Sequence, residues 1–424
     1  MEHDLVLEGK VVTKSGLLET EVGVSAGVIE AMGHGLKGAR RIRTGRCLIF
    51  PGFVDIHVHL REPGWEHKED FRTGSRAAVH GGVTTLVDMP NNPAPANSKA
   101  AIEAKRRLAS EKSLVDVKLN GGVDRADIGK VLSMAADVVG YKVYLSETTG
   151  AGAFPPSLLQ NAFARIAETG HPVSVHCEDQ AILERVSQRL QGSVEPDLHA
   201  DLRPPESEVG AVRSVAGALR STRALRANIC HASTGETLGL ARSARAEGLR
   251  LYCEATLHHL YYNRRAMLDN KLLKTNPPLR SEDDRQALLN GTKNGEVSFL
   301  VTDHAPHTEE EKIDGGLAGV PGLDDYAHLV TWLVKDQGVD PPTIARITSY
   351  NPARFFEMAD RGSIERGLRA DFSVIDLHSP EVVSRDLLCT KCGWSPYEGR
   401  EFPGRAKWTV VRGEVLLDEF EMVR

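Results

Sequence analysis

Two histidines, His57 and His59, stand two residues apart just after an apolar run that covers residues 47–54. In a β-strand, residues two apart point to the same face, so both imidazoles would leave the strand on one side. Imidazole nitrogens suit Zn²⁺ and its first-row neighbours, and the pair therefore indicates a metal site. Taken alone, such a pair is more often two surface histidines, so the interpretation depends on the rest of the chain.

Further side chains that can bind a metal or carry charge follow other apolar, strand-like runs. In a closed barrel of parallel strands, catalytic groups lie at the carboxyl ends of the strands and in the loops that follow. Such side chains end the first, fourth, fifth, sixth and eighth runs, namely His57 with His59, Lys142, His176, His231 and Asp303. Because residues of this kind occur at the ends of five runs, we predict that they come together in one metal-binding site.

Each of these residues also has an interpretation that needs no metal. His176 and His231 could each hydrogen-bond a backbone carbonyl at a strand end. Asp303 could cap a following helix, although the apolar run 297–302 before it means that a buried carboxylate there needs a cationic partner. Lys142 is the least expected member, because a charged ammonium in an apolar strand is costly and an amine is a poor metal ligand.

The elements that must position these residues are eight short apolar runs with amphipathic, helix-like segments between them. The runs cover residues 53–58, 84–89, 115–120, 138–145, 172–177, 227–231, 249–255 and 297–303. Alternation of strand and helix predicts a parallel sheet, and eight units favour an α/β fold closed as a (β/α)8 TIM barrel. A doubly wound open sheet is the alternative, but it usually has fewer strands and a Gly-rich phosphate loop, which is missing here.

Both ends of the chain differ from its middle. Residues 4–50 and 371–424 contain short alternating segments separated by turn residues, and neither end offers enough strands for a stable domain alone. The sequence therefore predicts a small composite β-sandwich domain built from both chain termini, residues 1–50 plus 370–424. Residues 51–369 are predicted to form the metal-dependent catalytic barrel.

Composition argues against several classes of function. The 424 residues carry a net charge of −6, which gives no electrostatic case for binding nucleic acid or an anionic membrane. No apolar run approaches the length of a membrane span, and the first residues lack the layout of a secretory signal. The six scattered cysteines fit reduced thiols, so we expect a cytoplasmic protein.

Five segments resemble the dihydroorotases of the amidohydrolase superfamily, and the resemblance spans essentially the whole chain. They are residues 57–64, 88–92, 276–280, 302–307 and 367–371, which read HVHLREPG, DMPNN, NPPLR, TDHAPH and GLRAD. The H-x-H pair alone marks the superfamily, whereas REPG, NPPLR and DHAPH together are specific to this family. The resemblance implies reversible, zinc-dependent hydrolysis of L-dihydroorotate to N-carbamoyl-L-aspartate in de novo pyrimidine (UMP) biosynthesis.

The resemblance also implies a site with two Zn²⁺ ions. The ligands would be His57, His59 and Asp303 for one ion and His176 with His231 for the other. Lys142 would bridge both ions after it reacts with CO₂ to form a carbamate, which turns an awkward ammonium into a bidentate anion. Some bacterial members of the family use Asp in the bridging place with one or two metals, so a site with a single metal stays open.

The remaining motif residues imply how the substrate is held. Arg61, Asn91 and His307 match the positions that grip the substrate carboxylate, and a planar guanidinium suits that task. Asn276 matches the position that contacts the ring. Asp303 would act in catalysis by taking a proton from the attacking water and passing it to the leaving nitrogen. The segment 308–319 is predicted to be a mobile loop that folds over the site and excludes water.

Two other functions stay open. A cyclic amidohydrolase for another ring, of the dihydropyrimidinase, hydantoinase or allantoinase kind, needs no carboxylate grip, so Arg61 and His307 argue against it. An inactive barrel that only scaffolds a transcarbamoylase would be expected to lose metal ligands, and here every position is filled. The predicted partner is therefore a small-molecule substrate. We also expect a homo-oligomer, and association with aspartate transcarbamoylase is compatible with the resemblance.

Overall fold

The computed structural model describes residues 2–190 and 198–423. The first part of the chain contributes strands β1 (Glu2–Thr13), β2 (Gly16–Ser25), β3 (Val28–Gly33) and β4 (Lys37–Pro51). The middle contributes β5 (Phe53–Val58), β6 (Val83–Asp88), β7 (Asp116–Gly122), β8 (Gly140–Tyr144), β9 (Val173–His176), β10 (Ala227–Ile229), β11 (Leu251–Thr256) and β12 (Phe299–Val301). The last part contributes β13 (Phe372–Asp376), β14 (Glu381–Val382), β15 (Glu401–Phe402), β16 (Arg405–Val411), β17 (Glu414–Asp418) and β18 (Glu421–Met422).

The helices lie mainly between the middle strands. The first eight are α1 (Phe71–His80), α2 (Lys99–Lys112), α3 (Lys130–Met134), α4 (Leu159–Thr169), α5 (Gln180–Arg189), α6 (Leu198–Leu202), α7 (Pro205–Leu219) and α8 (Gly235–Ala246). The rest are α9 (Leu257–Tyr261), α10 (Arg264–Asp269), α11 (Glu282–Lys293), α12 (Glu309–Ile313), α13 (Tyr326–Lys335), α14 (Pro341–Ala345) and α15 (Asn351–Phe355). None of the helices in the described ranges is long and apolar enough to cross a bilayer.

Strands β5 to β12 form a barrel in which each strand pairs in parallel with the next along the chain. The barrel closes between its first and last strands, where Val58 forms a parallel bridge with His304. At the same place the amide of His59 donates to the carbonyl of His304 over 2.7 Å. Each of the eight predicted runs overlaps one barrel strand, so the prediction of a (β/α)8 barrel is confirmed.

The barrel elements form where the apolar residues have the right spacing. Nearly every residue of the barrel strands other than β7 is buried, as expected where helices cover a parallel sheet. Helix α4 buries Leu159, Ala162, Phe163 and Ile166, which lie on one face at helical spacing. It ends at Gly170, whose φ of 76° is accessible to glycine without steric cost.

Both chain ends contribute to a second sheet beside the barrel, as predicted. Its eight strands run in the order β18-β17-β16-β13-β4-β1-β2-β3. The two ends meet where β13 pairs antiparallel with β4, and only β1 with β4 pair in parallel among its described strands. This sheet has a separate apolar core that includes Leu7, Phe372 and Trp408. The exact domain boundaries stay a prediction.

Candidate metal centre and substrate pocket

One cavity lies at the carboxyl ends of the barrel strands. Nine predicted site residues line it: His57, His59, Arg61, Asn91, Lys142, His176, His231, Asn276 and Asp303. The tenth, His307, does not line the cavity. The wall is completed by Tyr144, Thr148, Thr149, Ala305, Ala318 and Gly319. Residues from at least six strand ends thus meet in one place, as expected at the catalytic end of a (β/α)8 barrel.

His57, His59 and Asp303 form a compact group of metal-binding donors. The Asp303 Oδ1 lies 3.3 Å from His57 Nε2 and 3.1 Å from His59 Nε2, and one donor atom from each residue lies within 4.8 Å of the others. Burial alone would raise the pKa of Asp303, but His57 and His59 hold it well below its ordinary value. The carboxylate is therefore charged, which is the form that binds a cation.

His57 lies in a strongly anionic environment. Glu254 accepts a short hydrogen bond from the His57 Nδ1, and Asp303 faces the Nε2. Burial and Lys142 lower the pKa of His57, but the two carboxylates outweigh them and raise it to about 10. These carboxylates therefore favour a positive charge on or beside the ring. A metal ion at the Nε2 would supply the same charge.

His176 and His231 form a second group of donors. The His176 Nδ1 lies 2.9 Å from the His231 Nε2, and both side chains are buried. Burial lowers the pKa of both histidines, so their imidazoles are neutral and able to bind a metal. The His231 Nδ1 is buried and has no hydrogen-bond partner among the described residues.

Lys142 lies between the two groups of histidines. Its side chain is 1% exposed, and its Nζ lies 3.5 Å from His57 Nε2 and donates to Cys230 Sγ over 2.7 Å. Within residues 2–190 and 198–423, no carboxylate oxygen lies within 4.0 Å of this nitrogen. An ammonium buried without a carboxylate is unfavourable, whereas a carbamate on the same nitrogen would be an anion that faces cations.

Carboxylates that the sequence analysis missed hold the histidine rings in place. Besides His57, Glu254 accepts the backbone N–H of His231 over 2.9 Å and the Asn228 Nδ2 over 2.6 Å. Glu178 lies 3.0 Å from His176 Nε2 and is itself paired with Arg203. Histidines that bind metals usually donate their second ring nitrogen to such a group, which fixes the tautomer and the orientation of the ring. A glutamate inside the apolar strand β11 was the available sequence signal for Glu254.

Three residues at the strand ends adopt left-handed backbone conformations although they are not glycines. The φ angles are 62° at Arg61, 37° at His231 and 47° at Asp303. Such conformations are unfavourable for these residue types and persist only where the surrounding structure imposes them. Here they turn the side chains of three predicted site residues into the cavity.

Arg61 provides the buried cation of the cavity wall. Its side chain is 3% exposed, its Nε donates to the Pro306 carbonyl over 3.0 Å, and burial lowers its pKa to about 10. One terminal nitrogen lies 3.2 Å from His307 Nε2. His307 therefore lies behind the guanidinium, where Lys68 also approaches its Nδ1 at 3.1 Å. In this arrangement His307 positions Arg61 and does not itself face the cavity.

The two predicted asparagines occupy different environments in the cavity wall. Asn91 is held on both sides, since its Oδ1 lies 2.7 Å from His59 Nδ1 and its Nδ2 donates to the Thr149 carbonyl over 2.8 Å. The Asn276 Oδ1 is buried and has no hydrogen-bond partner among the described residues. Asn276 thus offers a free acceptor to a bound molecule, whereas Asn91 contributes to the orientation of His59.

The predicted loop 308–319 covers the cavity from one side. It begins with the short helix α12, which Thr308 caps through a hydrogen bond with the amide of Glu311. The buried Lys312 donates to the carbonyl oxygens of Lys274 and Gly319, at 2.6 and 2.8 Å. Ala318 and Gly319 then form part of the cavity wall. Whether this segment moves stays a prediction.

Comparison with known proteins supports these observations at the level of the whole chain. The model of the amidohydrolase family matches residues 48–416. Dihydroorotases from Pyrococcus furiosus and Methanothermobacter thermautotrophicus are 33% and 34% identical to this chain over 99% of its length, and 94% and 95% of those proteins is covered. The dihydroorotase of Methanosarcina acetivorans is 33% identical over 97% of this chain and 88% of that protein.

Solved structures of hydantoinases have the same fold. An L-hydantoinase from Arthrobacter aurescens superposes with a TM-score of 0.95 over 100% of this chain and 98% of its own, at 23% sequence identity. A D-hydantoinase from Thermus sp. superposes with a TM-score of 0.90 at 24% identity, over 99% and 96% of the two chains. At this level of identity the similarity shows the fold alone.

Proposed function

The chain belongs to the amidohydrolase family, and from its dihydroorotase relatives and its cavity we propose that it interconverts L-dihydroorotate and N-carbamoyl-L-aspartate. It is a cyclic amide hydrolase, and its place is the ring-closing step of pyrimidine biosynthesis. The observation that carries this proposal is the buried guanidinium of Arg61 in the same cavity as the metal-binding donors. A cyclic amide that bears a carboxylate needs both features at once.

The donor set fits two Zn²⁺ ions. The neutral buried imidazoles of His176 and His231, charged Asp303 and the anionic surroundings of His57 all favour a bound cation. His57, His59 and Asp303 would hold one ion and His176 with His231 the other, and a carbamate on Lys142 would supply further oxygen ligands. When bound, zinc supplies Lewis acidity for the amide carbonyl and acidifies water near neutral pH.

The side chains of the cavity then have distinct roles toward the substrate. Arg61 binds the ring carboxylate through two parallel N–H donors, and His307 fixes the guanidinium from behind. The free Asn276 Oδ1 accepts an N–H of the ring. Asp303 takes the proton of the attacking water and delivers it to the leaving nitrogen. Ala318 and Gly319 limit the access of bulk water to the reacting bond.

The proposal is tested by turnover and metal content of the purified chain. We expect about two zinc ions per chain and hydrolysis of dihydroorotate at least about 100-fold more efficient, in kcat/KM, than that of hydantoin or allantoin. This preference follows because only dihydroorotate carries the carboxylate that Arg61 pairs with. A preference for hydantoin or allantoin would assign the chain to another cyclic amidohydrolase.

The bridging role of Lys142 has its own test. Lys142→Ala should lose bound zinc and activity together, and bicarbonate with a short-chain carboxylic acid should restore part of both. Lys118→Ala is the control, since that half-buried lysine lies in the neighbouring strand β7 and pairs with Asp116 at 3.3 Å. An unchanged content of two zinc ions in Lys142→Ala would contradict the carbamate bridge.

We further propose a cytoplasmic homo-oligomer. All six cysteines are free, which is usual in a reducing compartment and supports the cytoplasmic location. Association with aspartate transcarbamoylase, which makes carbamoyl aspartate, would deliver one substrate of the reversible reaction directly. Light scattering of the purified chain measures its oligomeric state, and light scattering of its mixture with that enzyme measures their association.

A further inference from the structure

A second cavity, of about 960 Å³, lies at the opposite end of the barrel from the proposed active site. Its wall includes residues that directly precede barrel strands, such as Arg226 before β10, Arg250 before β11 and Ser298 before β12. The catalytic residues follow the carboxyl ends of these strands, so the two cavities are separated by the length of the barrel. A volume of this size is typical of sites for small molecules and cofactors.

The second cavity has a strong excess of positive charge. Its wall contains six cations, Lys14, Arg226, Arg245, Arg250, Arg354 and Arg361, but only the two acids Glu357 and Glu365. Both acids are already paired, Glu357 with Arg226 and Glu365 with Lys14. Among the residues that the structure describes, Arg245, Arg250 and Arg354 have no carboxylate within 4.0 Å. The cavity therefore presents guanidinium groups whose charge the protein leaves uncompensated.

These guanidinium groups are held by neutral partners that leave donors free. Arg250 donates to the Ala224 carbonyl over 3.4 Å, and Arg354 donates to the Tyr350 hydroxyl over 2.8 Å. A guanidinium has five N–H donors in a planar fork, which matches the oxygens of a phosphate. Arg250 and Arg354, which each use one donor within the protein, are therefore suited to a phosphate group in the cavity.

Apolar and aromatic side chains lie between the polar groups of the wall. Tyr252, Phe355, Met358 and Leu368 line it, and the Tyr252 ring packs against Phe355 with centroids 5.4 Å apart. The exposed part of such a ring can stack on a flat heterocycle. The combination of the partly exposed Tyr252 ring with unpaired arginines matches a molecule with a ring at one end and a phosphate at the other.

We propose that this cavity is a second binding site, for a nucleotide, with the phosphate on the arginines and the base against the apolar wall. The site is remote from the metal centre, so it is distinct from the substrate pocket. Its existence does not depend on the reaction proposed above, because the arginines and the volume are present whatever the substrate is.

Calorimetric titration of the zinc-loaded enzyme with adenosine monophosphate tests the proposal, at an ionic strength of about 0.15 M where exposed charges are screened. We expect saturable binding of one molecule per chain and no detectable binding of adenosine, which lacks the phosphate. The double substitution Arg250→Gln and Arg354→Gln should raise the Kd at least about 10-fold, because it removes two charge-assisted donors. Each single substitution should have a smaller effect in the same direction.

Arg213→Gln is the matched control, since this arginine is exposed on α7 and lies outside the cavity wall. It should bind adenosine monophosphate as the unmodified enzyme does, and all variants should keep their kcat/KM. Absence of saturable binding, equal binding of adenosine, or an unchanged Kd in the double variant would each overturn the site. Loss of turnover in the unmodified enzyme would instead contradict the proposed reaction, so the two failures are distinguishable.

Discussion

In the proposed reaction, Arg61 is the residue on which substrate choice depends. We expect Arg61→Lys to lower kcat/KM for dihydroorotate by about 100-fold or more, because an ammonium cannot form two parallel hydrogen bonds with the carboxylate. Steady-state kinetics measure the change, and Arg213→Lys, an exposed substitution, is the control. A loss below threefold would show that the carboxylate binds elsewhere.

A substitution of Glu254 tests whether a carboxylate that hydrogen-bonds a metal-binding histidine contributes to zinc affinity and activity. Glu254→Gln keeps the size of the side chain but removes the charge next to His57 Nδ1, so we expect zinc affinity or activity to fall by about 10- to 100-fold. Competition with a chelator measures the affinity. The control is Glu208→Gln, an equally buried glutamate that bonds Ser233 and Thr237 instead. Equal zinc affinities in the two variants would contradict a positioning role for Glu254.

At the scale of single residues, the sequence predicted most residues that line the cavity, but not the carboxylates that hydrogen-bond the lining histidines. His176, His231 and Asp303 were predictable because each lies at or near the end of an apolar run, and strand ends share one face of the barrel. The roles of Glu254 and Glu178 were not predictable, because each depends on the histidine ring that folding places next to the carboxylate. The position of His307 behind Arg61 likewise depends on two loops, after β5 and after β12, that no local pattern relates.

The covering segment 308–319 can be tested at the scale of an element. Gly319 has a φ of 134°, and a Cβ atom there would lie 2.5 Å from the Ala305 carbonyl oxygen. Gly319→Ala must therefore displace the cavity wall, and we expect kcat/KM to fall by about 10-fold. Steady-state kinetics with dihydroorotate measure the change.

Gly316 offers a control in the same segment. It also has a positive φ, 61°, but an added Cβ would meet nothing closer than the Lys274 Nζ at 3.5 Å, an ordinary contact. Gly316→Ala therefore adds a side chain in the same segment with less backbone strain and without the collision. If both variants lost activity equally, the wall position of Gly319 would not be the cause.

Element types were predictable where the apolar period was sustained over a whole strand or helix. Every barrel run overlaps its strand because a fully buried parallel strand leaves few polar positions. The short helix α12 was missed, because its Glu-rich sequence has no apolar face and its start is set by the cap at Thr308. Here a local hydrogen bond, not periodicity, decides the structure.

The joint between the barrel and the terminal sheet belongs to the scale of the whole molecule. The Ser373 hydroxyl on β13 accepts the buried N–H of Phe53 over 3.0 Å and donates to the carbonyl of Gly82. Ser373→Ala leaves both backbone groups unpaired, so we expect the free energy of unfolding to fall by about 1–3 kcal/mol. Urea titration measures it. Ser243→Ala, at an exposed helix position, should change it little, and an equal loss there would contradict the explanation.

Whole-molecule organisation was only partly predictable. The flanks had too few strands to stand alone, which was enough to predict one shared β domain. The order of its strands was not, because the parallel pairing of β1 with β4 and the antiparallel pairing of β13 with β4 join segments far apart in sequence. Alternating patterns identify strands but do not choose their neighbours.

The bridge between Val58 and His304, which closes the barrel, has a consequence for how the protein folds. His57 and His59 lie at the end of the first barrel strand, and Asp303 immediately precedes His304, whose bridge with Val58 closes the barrel. The three donors become neighbours only when the last strand docks against the first. During refolding, tight binding of a metal ion should therefore occur later than helix formation. The time of metal binding would then indicate when the barrel closes.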